Sequence, residues 1–269
     1  MKILSKGTYY GVKKLETEID GIVLSQYDYF NPRTDWHYHE NPYFMYVLQG
    51  NMKDCNAKEK TLCPSGSLMF NNWQEMHYGS KHSEHACGFH FEFEKNWLDK
   101  NGISLNVFEG SQLIQNPRIH LLFAKLYHEF LQEEACSRVS VEMLLLQICD
   151  ALSDVQKLNT QKNPIWVNNL KELLHYDPSS LSLQYLSNEL NVHPVHLSRA
   201  ASKYLSVSLG EYVRQQKIKA AIPLILDTSK SLTEITYEVG FSDQSHFHRV
   251  FKSYFQMSPS VYRKKILKL

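Results

Sequence analysis

The chain has 269 residues, of which 43% are hydrophobic, 21% charged and 12% aromatic, and its formal net charge is +1. With 16 Tyr, 13 Phe and 4 Trp it cannot stay generally disordered, and no run approaches the ~18 apolar residues of a membrane span. Five cysteines without a C-x-x-C (Cys55, Cys63, Cys87, Cys136 and Cys149) argue against a disulfide scaffold or a four-thiolate zinc site. No apolar signal core follows Met1, so a reduced, cytoplasmic protein without a membrane partner is expected. Charge divides the chain: residues from Thr160 onward carry a net +6 and those before it a net −5. The basic C-terminal part is the one expected to meet a polyanion, although ordinary solvated surfaces would produce the same totals.

In chain order, the first ~110 residues alternate between β-forming runs and turn residues. Ile22 to Phe30 ends at Asn31-Pro32, Tyr43 to Leu48 runs into Gln49-Gly50-Asn51, and Ser67 to Phe70 runs into Asn71-Asn72. In Gly88-Phe89-His90-Phe91-Glu92-Phe93 the phenylalanines fall on one strand face and His90 and Glu92 on the other. Many short strands of this kind predict a small barrel or sandwich.

After Pro117 the period becomes helical: Ile119, Leu122, Phe123, Leu126 and Phe130, then Val141, Leu144, Leu145, Ile148, Cys149 and Leu152. These two helices are expected to close one end of the barrel or to pair with their copies in a second chain. The polar stretch from Asp154 to Pro164 is the expected linker, and everything beyond it reads as helix with brief turns.

The C-terminal part repeats itself. Leu183, Leu186, Leu190 and Val192 recur at an offset of 49 as Leu232, Ile235, Val239 and Phe241, and Leu197, Arg199, Ser208 and Tyr212 recur at 50 as Phe247, Arg249, Ser258 and Tyr262. Each copy reads as a short helix, a tight turn and a second helix, with Gly240 and its counterpart Asn191 where a positive φ is wanted. Leu209 to Leu226 has the spacing of a linking helix. A helix-turn-helix offers one face of its second helix to the DNA major groove. In the second copy Phe247, Val250 and Phe251 form the buried side, leaving Gln244, Ser245, His246, Arg249 and Lys252 outward. In the first copy Leu197 is the anchor, and His193, His196, Arg199 and Lys203 are the outward candidates. Gln and Arg suit base edges, Ser and Lys phosphates.

The segment Ser231 to Lys252, with its close Ser258-Pro259-Ser260-Val261-Tyr262-Arg263, closely resembles the AraC/XylS family of transcription regulators, over Leu170 to Lys265. The resemblance implies a seven-helix DNA-binding domain with two helix-turn-helix units. It also implies, on a weaker match, a cupin-like effector domain followed by dimerisation helices. The expected fold class is therefore α+β: a cupin-like β-barrel with two following helices, then an all-α domain. The expected domains are 1–158, effector-binding and dimerising, and 163–269, DNA-binding. Departures from the family pattern are Ala201 for a large aromatic, Ser206 and Gln256 for glycines, Thr236 for Ala, Lys217 for Arg, and Pro223 inside the linking helix, where a kink is expected.

In the front half, His37-Tyr38-His39, Tyr43, Gly50, Pro64-Ser65-Gly66 and Met69 resemble the cupin metal pattern, with Tyr43 standing where a Glu would be and Met69 where a third His would be. An H-x-H on a strand puts both rings on one face. A third ligand would have to come from His77, His82, His85, His90 or Glu75. Three readings stay open: histidines lining an organic-ligand pocket, a bound metal, or a catalytic cupin. The first is adopted, with no metal and no cofactor assigned. The expected pocket comprises Trp36, His37, His39, Tyr43, Tyr46, Met69 and His77, and Trp73 and Tyr78 add aromatic surface that suits a sugar or another small polar-faced molecule.

No nucleotide-binding or hydrolase motif occurs, so no enzyme activity is expected. The resulting expectation is a ligand-responsive, sequence-specific regulator whose partners are double-stranded DNA, a small effector, a second copy of the chain and, as a further candidate, RNA polymerase. The rival is a metal-binding cupin-type protein or enzyme with a degenerate helical tail.

Overall fold

The structure is a computed structural model and describes residues 2–73, 75–102, 110–132, 138–159, 163–175 and 177–267. Cys136 and residues 160–162 of the expected linker lie outside the described residues. The chain divides into two compact units, Met1–Ile114 with Leu126–Glu142, and Gln115–Lys125 with Met143–Leu269.

The first unit carries β1 (Lys2–Leu4), β2 (Val12–Ile19), β3 (Ile22–Tyr29), β4 (His37–His39), β5 (Tyr43–Gln49), β6 (Asn51–Asn56), β7 (Lys60–Pro64), β8 (Leu68–Asn71), β9 (His77–Lys81), β10 (Ala86–Phe93) and β11 (Gln112–Ile114), with α1 (Lys95–Lys100) between the last two. The strands form two sheets, ordered β1-β4-β9-β6-β7 and β11-β8-β5-β10-β3-β2.

The expected barrel is not formed. Both sheets are open, because closure requires every edge strand to find a partner, and β1, β7, β2 and β11 remain edges among the described residues. The β2 edge explains part of this. Lys13, Lys14, Glu16 and Glu18 project from it, and charge on an edge strand opposes further pairing. Its hairpin to β3 turns at Asp20 and Gly21, both at positive φ (43° and 82°), the conformation that a two-residue loop with right-handed strand twist requires.

The inner strands of the second sheet, β3, β5, β8 and β10, are mostly buried on both faces, which is why Tyr43 to Leu48 reads as a continuous apolar run. One face turns Phe44, Phe70, Phe91 and Phe93 into a shared aromatic core. On that side Phe89 meets Tyr127 and Phe130 of α2 (Pro117–Phe130), with ring centroids 5.1 and 5.2 Å apart. The other face of the sheet carries Tyr27, Tyr29, Tyr43, Met45, His90 and Glu92, all buried.

The helix α3 runs Arg138–Asn159, so Asp154 to Asn159 is helical rather than linker. That segment is polar but holds no Gly or Pro, and polarity alone does not end a helix. Of the leucines expected to pair between chains, Leu122, Leu126 and Leu145 are buried within this one and Leu144 is half-buried, while Met143 and Leu146 of α3 face outward, 56% and 50% exposed.

The remaining helices are α4 (Ile165–Leu173), α5 (Leu183–Leu190), α6 (Pro194–Leu205), α7 (Leu209–Leu226), α8 (Leu232–Glu238), α9 (Gln244–Phe255) and α10 (Pro259–Leu267). These make seven α-helices among the described residues after 163, the number the family resemblance implies. Helix α7 passes through Pro223 and ends three residues later at Leu226, so the missing N–H falls in the last turn.

Candidate ligand pocket and nucleic-acid interface

The candidate recognition helices are set by their ends. Ser182, Ser208 and Ser231 cap α5, α7 and α8 by accepting from backbone N–H groups, and Ser231 with Glu234 forms a reciprocal capping box. Asp243 starts α9 by accepting from the His246 N–H at 2.7 Å. The turn between α5 and α6 places Asn191 at φ 49°, and that between α8 and α9 places Gly240 at φ 80°. A Cβ on Gly240 would lie 2.5 Å from the Ser179 Cα, so the glycine is required by space as well as by φ. Ser206 and Gln256, which replace family glycines 50 positions apart, also sit at positive φ, 60° and 57°. The repeat is thus conformational as well as compositional.

Leu197, Phe247, Val250 and Phe251 are buried as the spacing predicts, and Tyr212 and Tyr262 occupy matching buried places. His193, His196, Arg199 and Lys203 of the first unit are exposed, as are Ser245, Arg249 and Lys252 of the second. Gln244 is half-buried and accepts from Thr233 Oγ1 at 3.4 Å, and His246 packs edge-on against Phe241. The departures are accommodated locally. Ala201 is enclosed by the core that holds Leu197, Leu205 and Tyr212. Thr236 returns its hydroxyl to the Leu232 carbonyl at 2.7 Å, and Lys217 donates to the Gly240 carbonyl at 2.6 Å.

In the first unit a cavity of about 50 Å³ opens between the two sheets. The strand pairing that places His37 opposite His77 joins β4 to β9, and both residues of the H-x-H turn inward while Tyr38 does not. His37, His39 and His77 offer ring nitrogens that all lie within 4.8 Å of one another. His37 Nδ1 is 2.7 Å from the Asp35 carbonyl and His77 Nδ1 is 3.1 Å from that of Glu75. A carbonyl only accepts, so each Nδ1 carries the proton and each Nε2 keeps its lone pair. Tyr43 donates its hydroxyl to His77 Nε2 at 3.2 Å. Asp54 of β6 is buried, with Oδ2 3.9 Å from the same nitrogen and Oδ1 without a hydrogen-bond partner among the described residues.

Burial holds the imidazoles neutral: His37 is pushed down to about 4, with His77 adding to the effect, and His39 and His77 are also lowered. Burial first, then Glu59 and Glu75, pushes Asp54 up to about 7.

Of the expected pocket residues, His37, His39, Tyr43 and His77 line the cavity. Met69 and Tyr46 are buried elsewhere, Met69 in the apolar cluster with Met45 and Val47, and Trp36 lies at the surface against Tyr78. Sequence reasoning missed Tyr9, Tyr29 and Asp54, which also line it. Tyr9 stacks on His90 at 3.8 Å and donates to Glu92, which also accepts from Gly7 N–H and Asn41. No local pattern in the sequence marks Asp54 as inward-facing. Among the alternative third ligands, His82 is exposed, His85 lies beside Asp28, and His90 bonds Tyr29 on the facing sheet at 2.7 Å.

A β-sheet unit with an imidazole-lined pocket, followed by paired helix-turn-helix units, defines the class of two-part regulators. Residues 186–265 match the family model described as a helix-turn-helix domain, and residues 21–149 match the one described as an AraC-like ligand binding domain. The chain belongs to the AraC/XylS family of transcription regulators.

It is 34% identical over 116 residues to the Msm operon regulatory protein of Streptococcus mutans, a match covering 43% of this chain and 41% of that protein. It is 24% identical over 228 residues to the arabinose operon regulatory protein of Escherichia coli, covering 80% of this chain and 77% of that one. The chain therefore spans less than half the length of the first of these relatives. Both relatives are regulators by name, not enzymes. Among solved structures, fatty-acid-bound ToxT of Vibrio cholerae is similar at 14% identity and a TM-score of 0.42, over 95% of this chain and 99% of that one.

Proposed function

We propose that this protein is a sequence-specific DNA-binding transcription regulator, acting in the cytoplasm, whose N-terminal domain senses a small molecule. The observation that carries the reading is the pair of helix-turn-helix units with matching turns at Asn191 and Gly240, each presenting a polar, basic helix face. Arg249 and Gln244 read base edges, Lys252, Lys203 and Ser245 hold phosphates, and His193, His196, Arg199 and His246 complete the two faces. Residues 1–158 form the sensing and dimerising part and 163–269 the DNA-binding part, in a homodimer that also contacts RNA polymerase. At about 50 Å³ the cavity falls well below the roughly 300–1,000 Å³ of pockets for drug-sized ligands. That favours an effector smaller than a sugar. The effector acts by linkage, shifting DNA affinity only as far as it prefers one arrangement of the protein over another.

The test is selection of bound duplexes from a random DNA library by the full-length protein, with and without cell extract. A recurrent motif with two half-sites in successive major-groove segments is expected. Recovery of no sequence above competitor DNA would overturn the reading.

No helix among the described residues is long and apolar enough to cross a membrane.

A further inference from the structure

We propose that His37, His39 and His77, with Asp54, form a binding site for one divalent first-row transition ion, zinc or nickel foremost. The inference deepens the sensor reading and rests on it for its effect on DNA: the ion is the molecule the front domain senses.

The first support is convergence. Three imidazoles reach one point from two paired strands, with ligand nitrogens within 4.8 Å of one another. Around an ion at about 2.0–2.1 Å, ligand nitrogens stand roughly 3.3 Å apart, so modest side-chain rotation completes the site. The second is orientation. The His37 and His77 rings are held by Nδ1–H bonds to the Asp35 and Glu75 carbonyls, which aim their Nε2 lone pairs into the cavity. A ligating histidine is typically fixed in this way by its outer partner. The third is an unmet demand. Asp54 is 6% exposed, and its Oδ1 has no partner among the described residues. A buried carboxylate oxygen without a donor is costly, and a cation removes the cost.

The chemistry of the set narrows the occupant. His37, His39 and His77 bring three ring nitrogens together, Asp54 Oδ2 stands 3.9 Å from His77 Nε2, and an ion taken up there displaces the Tyr43 hydroxyl that His77 Nε2 now accepts from. Three neutral imidazole nitrogens gathered within 4.8 Å of one another suit an ion better than an organic molecule. Three nitrogens and one oxygen match zinc, nickel, copper or iron(II), and not the all-oxygen shells of calcium or magnesium. The cavity of about 50 Å³ holds an ion with a few water molecules.

The experiment strips the full-length protein with a chelator, verifies its fold by circular dichroism, and titrates it with cobalt(II) while following visible absorption. Zinc and nickel are then tested by competition and by elemental analysis. One equivalent per chain is expected, with cobalt displaced by zinc. His39→Ala and His77→Ala should each weaken binding at least about 100-fold and Asp54→Asn about 10-fold or more, whereas Met69→Leu, outside the cavity, should bind as wild type. Folded wild-type protein that takes up no stoichiometric cobalt or zinc overturns the inference, as does uptake undiminished in His39→Ala.

The same samples are carried through the DNA selection. Specific DNA without metal binding removes the inference and leaves the regulator reading intact. Stoichiometric metal without specific DNA does the reverse.

Discussion

Ser206 and Gln256 hold left-handed backbone at φ 60° and 57° where the family resemblance implies glycine. A side chain in that region costs about 1–2 kcal/mol, partly offset in the unfolded chain by the lower entropy of a non-glycine residue. Ser206→Gly and Gln256→Gly should each stabilise the protein by roughly 0.5–1 kcal/mol, read as a higher urea midpoint at unchanged slope. An unchanged or lower midpoint would mean that the Gln256 side-chain bond to the Ser253 carbonyl outweighs the backbone term.

His90 supplies a second residue-scale test. Burial pushes it down to about 3, among Tyr9, Tyr27, Tyr29 and Tyr43. Below its ordinary value of 6.5 the unfolded chain takes up a proton that the folded chain refuses, so stability falls as pH drops from 6.5 toward 3. His90→Gln, which can still meet the Tyr29 hydroxyl, should reduce that slope by up to about 1.4 kcal/mol per pH unit. Denaturant titrations of both proteins at several pH values between those limits measure it.

At the scale of the element, α9 combines a buried stripe of Phe247, Val250 and Phe251 with an exposed edge of Ser245, Arg249 and Lys252. If Arg249 meets a guanine edge, Arg249→Ala costs about 1–3 kcal/mol of DNA affinity and relaxes preference at a single base pair. Lys252→Ala, if its contact is phosphate, weakens all sequences alike and reduces the salt slope by about one unit. Competition across single-base operator variants separates the two, and a uniform loss for Arg249→Ala would reassign it to backbone positioning. These helices were legible because their determinants are local: capping serines, Asp243, the Gly240 turn and the 3.6-residue spacing all lie within a few residues of what they control. The linker was misjudged at Asp154 to Asn159 for the complementary reason. A polar helical turn and a polar linker share a composition, and packing against neighbours chooses between them.

At the scale of the whole molecule, the exposed apolar residues of α3 bear on self-association. The leucines expected to pair two chains are mostly consumed inside one, and Val139, Met143 and Leu146 of α3 are the large apolar side chains left outward on that helix among the described residues. If α3 pairs with its copy, sedimentation at micromolar concentration should find a dimer, and Met143→Lys combined with Leu146→Lys should yield a folded monomer. A wild-type monomer that stays monomeric on DNA would end the idea. A dimer would also align two sets of recognition helices on repeated half-sites, as two-fold symmetry requires.

By itself the sequence determined the paired helix-turn-helix units, their buried anchors, their outward residues except the half-buried Gln244 and His246, and the inward pairing of His37 with His39. Each follows from a short-range period, 3.6 for the helices and 2 for the strand. Three matters were decided only by the tertiary structure. The front domain is two open sheets rather than a barrel, because closure depends on edge strands remote in sequence finding each other, and the charged β2 edge does not pair further. His77, not His82, His85 or His90, joins the H-x-H pair, because the β4–β9 register sets it opposite His37. Asp54 faces the histidines from β6, a place no local pattern marks, since a charged residue in a strand reads as solvent-facing until the opposite sheet covers it.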